Sequence, residues 1–176
     1  MNIAKLSDFK PDAPWGDNKI NLREEKTTSI DGLLVTPLIN HGDHRGYLTE
    51  LLTNRDQEIE PIVHVYQVHA APGSIRGWVY HNHQLDRLTF TEGEFSLVLC
   101  DIRENSKTHG EILRLDIGKD NPCMVTIPKQ VAHLLRNSGN EMACFVNLPT
   151  RAFDLSNPDK SRLPYPDSRI PFEFDD

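Results

Sequence analysis

The stretch "HNHQLDRLTFTEG", His81 to Gly93, carries the reading of this chain. Two histidines stand one residue apart, an acid follows three positions after the second, and a glycine closes the run. The overlapping segment "TFTEGEFSLVL" predicts a β-hairpin with Glu92-Gly93 at its turn. Outward from it lie further short runs rich in β-branched and aromatic residues: "DGLLVTPLI", "GYLTELL", "PIVHVYQVHA", "IRGWVYH", "GEILRLDI", "CMVTIP", "VAHLLRN" and "MACFVNLP". They recur about every 8–12 residues with turn signals between them, the pattern of an all-β sandwich or barrel. No long helical period competes with it.

The bulk numbers fit one such domain. A chain of 176 residues, 38% hydrophobic, can bury roughly 70% of its unfolded surface without staples. Its three cysteines, Cys100, Cys123 and Cys144, are widely spaced and odd in number, as expected of reduced residues in a cytoplasmic protein. No basic-then-apolar leader opens the chain, and no apolar run approaches the ~18 residues of a membrane span. A net charge of −7 without a basic stripe argues against nucleic acid or an anionic membrane as partner. It leaves room for a small anionic ligand held by a few arginines. Residues 1–28 are polar and read as an N-terminal arm; residues 29–176 read as the barrel. Its proline-rich tail, "DKSRLPYPDSRIPFEFDD", is expected to run extended across the barrel mouth.

Side chains alternate faces along a strand, so "GWVYHNH" is expected to turn Val79, His81 and His83 to one side. A second stretch, "PKQVAHLLRN", places Pro128, His133 and Asn137 at P-x4-H-x3-N spacing. Together these resemble the two halves of the cupin signature, which implies a double-stranded β-helix, the jelly-roll barrel. In metal cupins such histidines and the acid converge on one divalent ion, because imidazole and carboxylate suit Fe, Mn, Ni or Zn. The set here would be His81, His83, Asp86 and His133. Asp86 lies closer to the histidine pair than is usual, and Gln130 stands where the second motif has glycine.

A closer resemblance covers residues 30 to 172. "DHRGYLTELL", "GSIRGWVYH", "DIRENSKTHG", "IPKQVAHLL" and "PDSRIPF" match, in order, segments of the dTDP-4-dehydrorhamnose 3,5-epimerases. The chain is identified as a member of that cupin group. The resemblance implies an isomerase of carbohydrate biosynthesis, acting on a dTDP-linked 4-keto sugar without a metal or other cofactor. In the family a histidine held by an aspartate removes protons beside the keto group. A lysine stabilises the enolate, and a tyrosine returns a proton. Such a base needs a pKa near neutrality, and the oxyanion needs a fixed donor or cation.

Carried over residue by residue, these roles meet substitutions. The base position falls on Val79, the lysine position on Asp86 and the tyrosine position on Phe153. Arg76, His133 and Asp167 keep their places, Asp167 being that of the aspartate that orients the base. Gln67 and His69 take the places of two sugar-facing residues, and Arg45 and Glu50 those of the nucleotide end. His81, two residues beyond Val79 and roughly 6–7 Å further along the strand, is the replacement base. The expected catalytic set is thus His81, Asp86, His133 and Asp167, and the expected substrate-binding set is Arg45, Glu50, Gln67, His69 and Arg76. Asp101 and Arg103 read as architectural.

Three functions remain open on these residues: an epimerase or ketoisomerase acting by proton abstraction, a metal-dependent cupin isomerase or oxygenase, and a sugar-binding cupin without catalysis. The resemblance also implies a homodimer joined through its N-terminal strands, which would protect a sheet edge.

Overall fold

Residues 5–8, 10–11, 26–55 and 59–175 are described by the computed structural model. The arm expected over 1–28 therefore falls mostly outside the described residues; within it lies one 3-10 turn, Leu6–Asp8. The short apolar runs form strands: Lys26–Thr27 (β1), Leu34–Pro37 (β2), Asn40–Asp43 (β3), Gly46–Thr49 (β4), Tyr66–Ala70 (β5), Ile75–Tyr80 (β6) and Asp86–Glu92 (β7). Glu94–Asp101 (β8), Ile112–Gly118 (β9), Cys123–Ile127 (β10), Val131–Asn137 (β11), Ala143–Asn147 (β12) and Ser161–Arg162 (β13) follow. Among the described residues there is no α-helix, and no helix is long and apolar enough to cross a membrane.

A six-stranded sheet, β1-β2-β10-β7-β12-β5, faces a five-stranded sheet, β13-β6-β11-β8-β9, and β3-β4 is a separate hairpin. Every pairing is antiparallel. Inward residues of both sheets meet in one apolar core: Leu88 and Phe90 of β7, Phe95, Leu97 and Leu99 of β8, Val125 of β10, Phe145 of β12. The period-2 alternation of the strands selects that set. This is the expected jelly-roll barrel.

The expected hairpin at Glu92-Gly93 is not formed. β7 pairs with β10 and β12, whereas β8 pairs with β11 and β9, so Gly93 is the corner at which the chain leaves one sheet for the other. Gly93 has φ +75°, and a Cβ on it would stand 2.3 Å from the Cβ of Ala143. A corner and a hairpin both call for glycine here. Which one forms is decided by distant strands.

The tail also departs from expectation. β13 pairs with β6, and Leu163, Tyr165, Ile170, Phe172 and Phe174 pack over Trp78, Val98, Cys100, Ala132 and Leu134. These are outward residues of the five-stranded sheet, so the tail covers that sheet's outer face instead of the mouth. The physical cause is the apolar outer face itself, which would otherwise meet water. The first two residues of the tail, Asp159 and Lys160, border the opening between the sheets together with residues 151–154, Asn157 and Pro158 ahead of them.

Candidate active site

β6 delivers its side chains to the interior through a bulge. His133 pairs with Val79 and Leu135 with Arg76, so Gly77 and Trp78 together oppose Leu134. The extra residue keeps Arg76 and Val79 on one side although they are three apart. After Tyr80 the chain turns, and the turn is clamped from the tail. The Asp159 carboxylate accepts the backbone N–H groups of Asn82, His83 and Gln84, each at 2.9 Å. These bonds hold the carboxyl below the usual range against the upward push of its burial. Gln130 N donates to the His81 carbonyl at 2.7 Å, and Leu85 N donates to Thr150 Oγ1 at 3.0 Å.

This turn aims the His81 ring between the sheets. Its Nε2 lies 3.3 Å from Asp86 Oδ2, and its Nδ1 faces the backbone carbonyl of Asp159. His133, inward on β11, places Nε2 3.8 Å from the same Asp86 oxygen, and the two imidazoles stack at 6.2 Å between centroids. Asp86 Oδ1 accepts from Gln84 Nε2 at 2.7 Å and from Asn147 Nδ2 at 3.0 Å. Asn147 Nδ2 also donates to Tyr66 Oη at 2.8 Å. Beside this cluster opens a cavity of about 190 Å³, bordered by Tyr66, His81, His83, Gln84, Phe153 and Lys160 among others.

The charges follow from these contacts. Burial pushes the Asp86 carboxyl up, but the His81 hydrogen bond, the charges of both histidines and the Asn147 amide outweigh it, holding Asp86 below the carboxylate range. Burial pushes His133 down to about 4, against the pull of Asp86. The Tyr66 phenol is raised by burial and by the Asp86 charge. The Lys160 ammonium is lowered by desolvation and by Arg162 nearby, while Asp86 opposes this.

His133 gives the fold a pH dependence of defined sign. Its folded pKa lies below its ordinary 6.5, so between about 6.5 and about 4 the unfolded chain binds a proton that the folded chain refuses. The stability contributed by the neutral ring is fully present above about 6.5 and is lost as pH falls, at about 1 kcal/mol per pH unit. Denaturant unfolding from pH 7 to 4.5 should show this slope, and His133→Asn should flatten it. An equal slope in that variant would assign the effect elsewhere.

Of the residues singled out in the sequence, His81, Asp86 and His133 converge, with one ligand-type atom from each within 4.8 Å of the others. His83 does not join them. The strand ends at Tyr80, and His83 is an exposed turn residue whose N–H serves Asp159. The four-ligand set is therefore reduced to three. Asp167 is not the base-orienting acid: its carboxylate binds Arg169 at 2.8 and 2.9 Å, in the tail over the outer sheet face. His81 is held by Asp86 and Asp159 instead.

Gln67 and His69 point outward, since Tyr66, Val68 and Ala70 fill the inward positions of β5. Arg76 lies at the inward register and donates to the His69 carbonyl at 3.1 Å. Arg45 and Glu50 belong to the β3-β4 region, away from the cavity lining, where Arg45 pairs with Asp43 and Glu50 with Arg55. Asp101 is architectural: fully buried, it accepts from Arg103, Ser106 and Thr108. Residue types alone did not single out Tyr66, Gln84, Asn147, Asp159 or Lys160. For Tyr66 the signal was present, because "YQVHA" alternates with its apolar members, Val68 and Ala70, on the tyrosine's side.

Comparison with known proteins agrees with this architecture. Residues 27–170 match the family dTDP-4-dehydrorhamnose 3,5-epimerase. The spore coat polysaccharide biosynthesis protein SpsL of Bacillus subtilis is 35% identical over 145 residues, covering 82% of this chain and 96% of that protein. The probable low-salt glycan biosynthesis epimerase Agl13 of Haloferax volcanii is 32% identical over 142 residues, covering 78% and 89%. The fold is shared with a dTDP sugar isomerase from Desulfovibrio desulfuricans (TM-score 0.77, 22% identity, 82% of this chain and 92% of that one). It is shared also with an epimerase from Legionella pneumophila in complex with dTDP-4-keto-L-rhamnose (TM-score 0.76, 23% identity, 86% and 82%). A barrel of this topology, a cluster of ionisable groups at its opening and a match over most of its length lead to one conclusion: the chain belongs to the dTDP-4-dehydrorhamnose 3,5-epimerase family of nucleotide-sugar epimerases.

Proposed function

We propose that this chain epimerises a nucleotide-linked 4-keto sugar, with His81 as the base and Asp86 as the carboxylate that holds it. The carrying observation is the 3.3 Å approach of Asp86 to His81 Nε2 beside the cavity. Asp86 selects the tautomer protonated on Nε2, so Nδ1 is the nitrogen that takes the proton once the Asp159 carbonyl against it gives way. A proton taken from the carbon beside the keto group is then stabilised on the ring by the carboxylate, and the enolate oxygen requires a fixed cation or donor. Lys160, bordering the same cavity, supplies that cation from the tail. The Asp159 carbonyl stands against Nδ1 and must yield when a sugar enters. The names of Agl13, an epimerase of glycan biosynthesis, and of the Legionella complex with a dTDP-keto sugar support this substrate class.

A homodimer accompanies this reading. Tyr47 and Leu48 of β4 and Ile62, Val63 and Val65 ahead of β5 are large apolar side chains exposed on the single chain, surface that a second copy would cover. Arg45 and Glu50, which flank β4 and do not line the cavity of their own chain, would then stand beside that contact. A metal-dependent reading rests on the convergence of His81, Asp86 and His133.

One experiment separates these functions. The protein, freed of metal with chelator, is incubated in D₂O with a dTDP-4-keto-6-deoxyhexose, and the sugar C3 and C5 protons are followed by NMR. Exchange at one carbon or both is expected. Exchange that requires restored stoichiometric metal would favour the metal reading, and tight binding without exchange would favour a binding protein.

A further inference from the structure

Epimerisation needs a proton removed from one face of a carbon and another delivered to the opposite face. The position that corresponds to the family's tyrosine is Phe153, which borders the cavity but has no proton to give. Building on the epimerase reading, we propose that Tyr66 is the acid that returns the proton to the face opposite His81, with Asn147 as its positioning residue.

The two sheets place the groups correctly. His81 follows β6 of the five-stranded sheet, and Tyr66 is inward on β5 of the six-stranded sheet, so base and acid border one cavity from facing walls. Asn147 is 2% exposed and its amide is fixed at every polar atom. Its Oδ1 accepts the Arg87 N–H at 3.3 Å, which leaves Nδ2 as the donor to Asp86 at 3.0 Å and to Tyr66 Oη at 2.8 Å. A phenol oxygen that accepts from an amide must aim its own O–H elsewhere. The ring is flanked by His64, 5.3 Å away between centroids, and both residues border the cavity. Burial and the neighbouring Asp86 charge keep the phenol in its protonated form.

The step balances. His81 takes the C–H proton, and the electron pair moves into the enolate. Tyr66 then gives its O–H proton to the carbon from the other face, leaving a tyrosinate. The tyrosinate regains a proton from solvent through the open mouth, and His81 returns its own there. One amide thus joins the proton donor to the carboxylate behind the base, and Asn147 holds both at a fixed spacing.

The test uses the full chain with a dTDP-4-keto-6-deoxyhexose in D₂O, scoring by NMR both deuterium exchange with retention and the inverted product. Tyr66→Phe should keep exchange within about threefold of the parent, while inversion falls about 100-fold or more. Inversion at the parental rate would overturn the assignment, and so would exchange and inversion falling in equal proportion, the signature of a structural role. Should Tyr66→Phe fail to fold, 3-fluorotyrosine at the position preserves its shape. The alkaline limb of inversion should then move to lower pH, and an unmoved limb would overturn the proposal. No exchange in the parent protein would instead sink the epimerase reading, and the role of Tyr66 with it; the parent control tells the two failures apart.

Discussion

Replacing Asp86 with asparagine is expected to lower the rate of C–H exchange by about 10³–10⁴-fold while leaving the fold intact. The effect follows from the hydrogen bonds of one side chain. Asp86 Oδ1 accepts from Gln84 and Asn147, and an amide oxygen keeps both bonds. The Oδ2 side, 3.3 Å from His81 Nε2 and 3.8 Å from His133 Nε2, becomes an N–H donor. His81 must then accept on Nε2 and carry its proton on Nδ1, where the Asp159 carbonyl accepts it, so the nitrogen away from Asp86 has no lone pair for a carbon acid. The buried charge that stabilises the protonated ring is lost at the same time. The deuterium-exchange rate, taken beside a thermal melt, measures both parts. A fall of less than about tenfold would remove Asp86 from the mechanism.

Phe90→Ala is expected to be the costliest change to the fold, at about 3–5 kcal/mol. Phe90 has 0% exposure and touches both sheets. Its ring meets Phe145 at 5.5 Å within the six-stranded sheet, and it meets Phe95 edge-on at 5.2 Å across the core. Phe95 and Phe145 close the triangle at 5.9 Å. Removing one ring leaves a cavity that the other two cannot fill without abandoning their edge-to-face geometry. For a chain of this size the loss corresponds to a fall in Tm of roughly 6–20 °C. Urea unfolding with an unchanged m-value would confirm it. A cost under about 1 kcal/mol would mean that the barrel collapses onto the gap.

The site was legible where local periodicity governs it and illegible where the tail does. His81 follows from Val79 by the two-residue strand period, and Asp86 opens the next strand on the same inward side. His83 fails the same rule because Asp159, 76 residues away, collects three successive amides and ends the strand pattern. Asp167 and Asp159 both sit in a proline-rich segment without periodicity, so nothing in the residue pattern tells which reaches the base. Motif correspondence assigns Gln67 and His69 to sugar-facing places, whereas the alternation of β5 turns them outward.

Residue order alone therefore determines the all-β class, the positions of the strands, the inward apolar set and the family, because each depends on spacing along the chain or on ordered motifs. Tertiary structure decides that Gly93 is a corner between sheets, that the tail covers an outer face, and which groups surround His81. Those outcomes depend on contacts between residues tens of positions apart. The free energy of such contacts comes from burial and from hydrogen bonds that exist only once both partners are in place.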